Sequence, residues 1–381
     1  MRVLHVTPTF WPATYWGGPI VSVYGLCNAL AAVPKINLRV LTADAAGPWR
    51  SQRVDVDNFP SRYPAGYEVY FTRRLACGAI APGLLARLWG MIRWADVVHL
   101  TATYSFPTIP TLAICHLLNK PLVWSPRGGL QAAHQWQGAS KPVLKKIWEW
   151  ACSAVMPRRC VLHVTSDAEK AASRARLPKV ELAIIPNGVD VPDDLPLRGW
   201  LPGGIMRALY LGRLDPSKGI ENLLDALSLI DDEAVRLDVY GTGEPGYSRT
   251  LVRRASDMGL GDRVRFHGHV EAEEKTRAFL AADLCVAPSH SENFGMVVVE
   301  ALAHGIPVIA SRGTPWEGLA EHQCGRWVEN DPASLANAIT YMRAHDLEAM
   351  GRNGRAWMER EFSWQEIAER MLILYESVIR R

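Results

Sequence analysis

Short apolar runs recur along the whole chain, separated by stretches with helical character. In the first half they are RVLHV (2–6), LRVLT (38–42), YEVYF (67–71), DVVHL (96–100), PLVWS (121–125), VLHVT (161–165) and LAIIP (182–186). In the second half they are RALYLG (207–212), RLDVYG (236–241), VRFHG (264–268), LCVAP (284–288) and PVIAS (307–311). Most are nearly continuously apolar rather than alternating. A strand reads that way when helices cover both faces of its sheet, so the pattern predicts parallel sheets in an α/β fold.

A chain of 381 residues is long for one core and predicts about two domains. The boundary is legible in IPNGVDVPDDLPLRGWLPGG (185–204), whose proline and glycine content is that of a linker. The expected organisation is two Rossmann-like, doubly wound parallel-sheet domains, residues 1–190 and 206–361, joined by a linker at 191–205. The last segment, 362–381, has a helical period that puts Ile367, Met371, Leu374 and Val378 on one side. Two such domains are expected to face a central cleft. Ligands of open parallel sheets bind beyond the carboxyl ends of the strands, so the residues just after each strand are the candidates for chemistry.

Composition narrows the class. Apolar residues make up 48% of the chain and charged residues 21%, as in a folded globular protein. The N-terminus, MRVLHVTPTFWP, lacks the apolar stretch of a secretory signal. The longest clean apolar run, LACGAIAPGLLA (75–86), is too short to span a bilayer. A cytoplasmic protein is therefore expected. None of the seven cysteines lies in a C-x-x-C pair, which argues against a disulfide framework and a structural zinc site. The net charge of +3 divides into +9 for residues 1–195 and −6 for residues 196–381. A basic first half suggests an anionic partner, although a solvated surface also reaches such a balance by chance. No basic run or known module points to nucleic acid.

The most informative stretch is LCVAPSHSENFGMVVVEALAHGIPVIAS (284–311). It reads as strand, polar loop, helix and strand, with the helix expected from about Phe294 to His304 and stopped by Gly305 and Pro307. Glu292 precedes the helix and Glu300 lies about two turns inside it. Eight helical steps leave them roughly 80° apart, so the two carboxylates can line one side, up to roughly 12 Å from each other. Between them sits the helix N-terminus, whose free N–H groups favour an anion such as a diphosphate. Gly295 permits close backbone approach. Glu300 suits a ribose diol, and Glu292 suits sugar hydroxyls near a reacting carbon. An ordinary amphipathic helix with one exposed glutamate would carry the same pair, but the strand–loop–helix setting favours the site.

GRLDPSKG (212–219) places two cations, Arg213 and Lys218, just past a strand. They can neutralise a diphosphate leaving group directly, and the segment has no D-x-D run for a divalent metal. YWGGPIVSVYGL (15–26) brings Gly17 and Gly18 to the start of a helix. Such a turn either faces a phosphate or is simply tight. YGTGEPG (240–246) has dinucleotide-fingerprint glycines after a strand, which raises a NAD-dependent oxidoreductase. The acidic residue expected about 20 positions later is missing.

Together these segments resemble glycosyltransferase family four, retaining enzymes of the GT-B fold, over essentially the whole chain. WGGP, IPNGVD, GRLDPSKG and PSHSENFGMVVVEALAHGIPVIAS carry the resemblance, with a terminal helix that in such folds crosses back to the first domain. It implies a UDP- or GDP-sugar donor and no metal or other cofactor. It also implies that Arg213 and Lys218 hold the diphosphate, that Glu300 binds the ribose, and that Glu292 lies at the donor sugar as a catalytic residue. Phe294, Gly295 and Met296 would offer backbone N–H groups, and the segment ending in Val270 would flank the base. The acceptor would sit on the N-terminal domain, and the leaving phosphate would act as base in a same-face attack. A sugar-nucleotide epimerase shares the fold and is the alternative activity.

Three positions depart from the family pattern. Members often carry a histidine two positions beyond the one in DVVHL; here His99 is present and Thr101 occupies the later place. His99 is thus a catalytic candidate or a core histidine. Where a second histidine is frequent, SPRGGL supplies Arg127, a candidate for the donor phosphate or an anionic acceptor. Asn293 replaces a common glycine beside the donor sugar. Finally, ARLWGMIRWADVV (86–98) and KPVLKKIWEWACSAVMPRRC (141–160) interleave Trp89, Trp94, Trp148 and Trp150 with Lys and Arg. Packed helices with solvated cations give that pattern, and so does a face lying on an anionic membrane. The second reading fits peripheral attachment and a lipid-linked saccharide acceptor, as in bacterial exopolysaccharide, capsule or O-antigen assembly.

Overall fold

The computed structural model describes residues 1–47, 49–56, 60–75, 79–131, 142–195 and 204–381. It divides into Met1–Gly188 with Trp364–Arg381, here unit 1, and Val189–Ser363, unit 2. Residues 196–203 of the expected linker, 76–78 of the apolar run 75–86, and Lys141 at the head of the second tryptophan-bearing segment lie outside the described residues. Among the described residues no helix is long and apolar enough to cross a membrane.

Unit 1 runs β1 (Arg2–Val6), α1 (Gly18–Ala32), β2 (Asn37–Ala43), β3 (Ser61–Arg62), β4 (Glu68–Thr72), α2 (Pro82–Trp94), β5 (Val97–Thr101), α3 (Thr108–Leu117), β6 (Leu122–Ser125), α4 (Pro142–Ala154), β7 (Cys160–Val164), α5 (Asp167–Arg176) and β8 (Glu181–Ile184). The strands lie in the order β3-β4-β2-β1-β5-β6-β7-β8. All neighbours are parallel except β3 and β4. Alternate residues of each strand feed opposite faces. Val3, Val40, Val97 and Val123 pack under α1 and the C-terminal helix. Leu4, Leu41, Val98 and Leu122 pack under α2 to α4. Burial on both faces is what made these strands read as continuous apolar runs.

Unit 2 runs β9 (Met206–Leu211), α6 (Ile220–Ser228), β10 (Val235–Tyr240), α7 (Pro245–Asp257), β11 (Val264–Gly268), α8 (Ala272–Ala281), β12 (Leu284–Ala287), α9 (Met296–Ala303), β13 (Val308–Ser311), α10 (Gly318–Glu321), β14 (Gly325–Val328), α11 (Pro332–Arg343) and α12 (Leu347–Glu361). Its sheet is wholly parallel, in the order β11-β10-β9-β12-β13-β14. Counted from the unit's own first strand this is the doubly wound Rossmann order, with its topological switch point between β9 and β12. The sequence pattern did not foresee β14, because Gly-Arg-Trp-Val is not an apolar run. Its Gly325 passes so close to β13 that a Cβ there would lie 1.9 Å from the Val308 carbonyl.

The last helix, α13 (Trp364–Arg380), belongs to unit 1. Ile367, Met371, Leu374 and Val378 are buried along one side, as the period predicted, together with Tyr375. Burying such a side chain stabilises by about 1.5–3 kcal/mol. The helix is set in place by Trp364, whose ring lies against two glycines. A Cβ at Gly25 or Gly188 would come within 2.2 or 2.3 Å of it. The Gly188 of IPNGVD is thus a packing residue.

Candidate functional site

The loops that leave β9 and β12 on either side of the switch point are stitched together. Asp215 caps a short turn by accepting from the Ser217 N–H at 3.0 Å. Gly219 follows at φ +64°, and a Cβ there would be 2.2 Å from the Pro288 carbonyl. The His290 N–H donates to the Ser217 carbonyl at 2.8 Å, and Asn330 Nδ2 donates to the Pro288 carbonyl at 2.5 Å. On the far side, the Glu292 N–H donates to the Gly313 carbonyl at 2.8 Å. Residues 288–295 are therefore held from both flanks.

This frame puts Lys218 Nζ in an ion pair with Glu292 Oε2, both side chains roughly one fifth exposed, and Ser289 Oγ stands 3.4 Å from the same oxygen. Arg213 is exposed, its carbonyl bonded by the Tyr210 hydroxyl at 2.8 Å, and its guanidinium has no ion-pair partner among the described residues. Burial opposes ionisation of Asp215. The Ser217 hydrogen bonds and the charges of Arg213 and Lys218 outweigh that and hold its carboxyl below the ordinary range.

The helix after this loop starts later than the sequence suggested. It spans Met296–Ala303 because its cap, Gly295, takes φ +82°, a left-handed conformation that interrupts the helix. Counting helical steps from Glu292 to Glu300 therefore does not describe their relation, since Glu292 lies upstream of the cap on an anchored loop. The first N–H groups of α9 lack partners within the helix. Phe294 is buried, packs on Trp316 with centroids 5.2 Å apart, and has its carbonyl bonded by Trp316 Nε1 at 2.5 Å. Its side chain thus anchors the loop. Asn293 and Met296 are half-buried beside it. Glu300, one turn into α9, pairs through Oε1 with Lys275 Nζ of α8 at 2.5 Å. Val270 is half-buried just past β11. Gly241 and Gly243 are explained by crowding: a Cβ at either would lie 1.8 Å from the Gly212 carbonyl or 1.9 Å from that of Leu214.

In unit 1, Gly17 caps α1 at φ +70° and Gly18 opens it, with no acidic residue in the first turn. His99 has no exposed surface. Its Nδ1 is 2.6 Å from the Tyr375 hydroxyl and its Nε2 2.6 Å from Ser125 Oγ. Ser125 Oγ is in turn 2.7 Å from His163 Nδ1, and His163 Nε2 is 2.9 Å from the Ile185 carbonyl. That terminal carbonyl only accepts, which sets every donor: Tyr375 to His99, His99 to Ser125, Ser125 to His163, His163 to Ile185. His99 is saturated in the core, stacked on His5 at 4.4 Å. Arg127, at φ +52°, donates from Nη1 to Asn187 Oδ1. Its loop is held by the buried Glu169, which accepts from the Gly128 N–H at 2.5 Å. Of the four tryptophans, Trp94 lies under Arg39 at 4.3 Å and Trp148 donates to the Thr103 carbonyl at 2.9 Å. Trp89 and Trp150 are exposed.

The chain matches two family models, Glycosyltransferase Family 4 over residues 16–192 and Glycosyl transferases group 1 over residues 203–357. The protein belongs to glycosyltransferase family four. Among its curated relatives, the D-inositol 3-phosphate glycosyltransferase of Xylanimonas cellulosilytica is 33% identical over 57% of this chain and 57% of its own length. The chain thus spans little more than half of that relative. Among solved structures, sucrose-phosphate synthase from Thermosynechococcus elongatus superposes with a TM-score of 0.75 at 22% identity, covering 100% of both chains. Anabaena HepE in complex with UDP-glucose gives 0.72 at 19%, covering 99% of this chain and 100% of that one. These two likenesses concern the GT-B fold, which this family member shares. Sequence reasoning missed Lys275, the tryptophan brace Trp316 and the Tyr375–His99 bond. A lone lysine in a charged helix carries no signal, and pairs distant in sequence leave none without the fold.

Proposed function

We propose that the protein is a retaining glycosyltransferase that moves a sugar from a nucleoside diphosphate sugar to a saccharide or lipid-linked saccharide. The observation that carries this reading is the convergence of Arg213, Lys218, Glu292 and the start of α9 at the switch point of unit 2. Arg213 and Lys218 would neutralise the diphosphate as its bond to the sugar breaks, with the N–H groups from Phe294 to Met296 on its other side. Glu300 would accept from the ribose diol, Glu292 would meet the donor sugar, and Val270 would flank the base. We assign His99 to the buried chain and leave Arg127 as the candidate for an anionic group of the substrates. UDP-glucose is the natural first probe, since HepE was crystallised with it. A thermal-shift screen of UDP- and GDP-sugars tests the reading. A bound donor at a hundredfold excess over its dissociation constant adds about 2.7 kcal/mol; no shift with any of them would overturn it.

The acceptor side supports work at a membrane surface. The helix layer α2 to α4 turns outward Leu85, Trp89, Leu117, Val143, Ile147 and Trp150, with Trp150 72% exposed. Arg87, Arg93 and Lys146 are exposed among them. Apolar anchors among cations fit an anionic bilayer, and hence a lipid-linked acceptor such as bacterial surface-polysaccharide assembly uses. Co-flotation with anionic vesicles should be lost in Trp150→Ala and weakened by salt. Equal flotation of wild type and variant would remove this part.

A further inference from the structure

Each of the two glutamates at the switch point is met by a lysine from a different element, and the second pair has a consequence for nucleotide choice. Lys275 comes from α8 and reaches Glu300 Oε1 at 2.5 Å. Its ammonium stands 6.0 Å over the Phe279 ring, one turn further along the same helix. Phe279 is fully buried and stacks on His304 at 4.9 Å. His304 Nδ1 lies 2.7 Å from the Glu300 carbonyl, so the ring that supports the lysine is tied to the helix that carries the acid. The pair is not fully buried: the side chains are 28% and 15% exposed. Among the described residues, Glu300 Oε2 has no partner.

A carboxylate with one oxygen held can no longer rotate freely about its last bond. Its second oxygen, and the remaining lone pair of the first, keep a fixed plane. Two vicinal hydroxyls meet that plane best when it is set in advance, because orienting a flexible glutamate costs rotamer entropy at the moment of binding. We propose that Lys275 is a positioning residue that pre-sets Glu300 for a cis-diol, and so makes the site selective for ribonucleotides over 2′-deoxyribonucleotides. The inference rests on the reading of Glu300 as the ribose acceptor. Lys275 touches neither sugar nor phosphate in this role; it acts only through the acid.

Isothermal titration with UDP and with 2′-deoxy-UDP separates the possibilities, using wild type, Lys275→Met, Lys275→Arg and Glu300→Gln. Wild type is expected to favour UDP at least about tenfold, the lower end for a hydrogen bond to a charged group. Lys275→Met should weaken UDP severalfold, leave 2′-deoxy-UDP within about twofold, and so collapse the preference, while Lys275→Arg should recover part of it. Equal weakening of both nucleotides by Lys275→Met, or a preference left intact, would overturn the role of Lys275. If Glu300→Gln itself kept the full preference, the ribose reading of Glu300 would fall, and the inference with it. If Glu300→Gln abolished the preference and Lys275→Met did not, only the lysine's role would fall.

Discussion

The two sheets carry polar residues near the carboxyl ends of their strands, and they use them in opposite ways. In unit 1, His5, His99, Ser125 and His163 are sealed in the core, and the chain from Tyr375 to the Ile185 carbonyl closes with every ring nitrogen of His99 and His163 matched. In unit 2, Lys218, Glu292, Lys275 and Glu300 keep part of their surface in water, and Arg213 is exposed. A closed, neutral network stabilises and has nothing left to offer a ligand. An open, charged one retains hydrogen-bonding capacity that a ligand can use. Position at a strand end is therefore not sufficient to mark a site.

That contrast can be broken first by pH. Burial, with the nearby charge of Arg127, holds His5 and His163 at about 3 and keeps His99 well below its ordinary value. The unfolded chain binds protons near pH 6.5, where the folded one does not. Stability should therefore fall as pH drops from about 6.5 towards 3, by up to about 1.4 kcal/mol per pH unit for each histidine. Urea unfolding followed between pH 7 and 5 measures it, and a flat profile would show that the histidines are not held neutral.

His99→Ala should destabilise by about 3 kcal/mol, because Ser125 and Tyr375 lose a buried partner. Glu292→Ala, by contrast, should leave the melting temperature within a few degrees and lower kcat by about a hundredfold with little change in UDP affinity. If His99→Ala instead spared stability and abolished turnover, the two regions would have to exchange roles. Glu300→Ala should give the smallest change, about tenfold weaker UDP binding with kcat reduced less. Comparable binding losses in both glutamate variants would contradict the separate roles assigned to them.

The fold was legible because burial on both faces writes itself into a strand as a continuous apolar run, and the C-terminal helix, α13, shows its period openly. The arrangement of the candidate site in unit 2 was legible in part. Arg213, Lys218, Glu292 and Glu300 stand in loops and a helix flanked by such strands. Two things were hidden. The late start of α9 depends on the left-handed Gly295, a choice the residue permits but does not announce. The fate of His99 depended on Tyr375 and Ser125, one of them 276 residues away, and on tautomers set by the Ile185 carbonyl that ends the hydrogen-bond relay.

The most direct test is a crystal structure with UDP-glucose. Ribose should lie on Glu300 and the diphosphate at the start of α9 against Arg213, with Lys218 turned from Glu292 towards phosphate oxygen and His99 still bonded to Tyr375 and Ser125. Nucleotide bound elsewhere, with Lys218 still paired to Glu292 and the start of α9 facing solvent, would contradict this assignment.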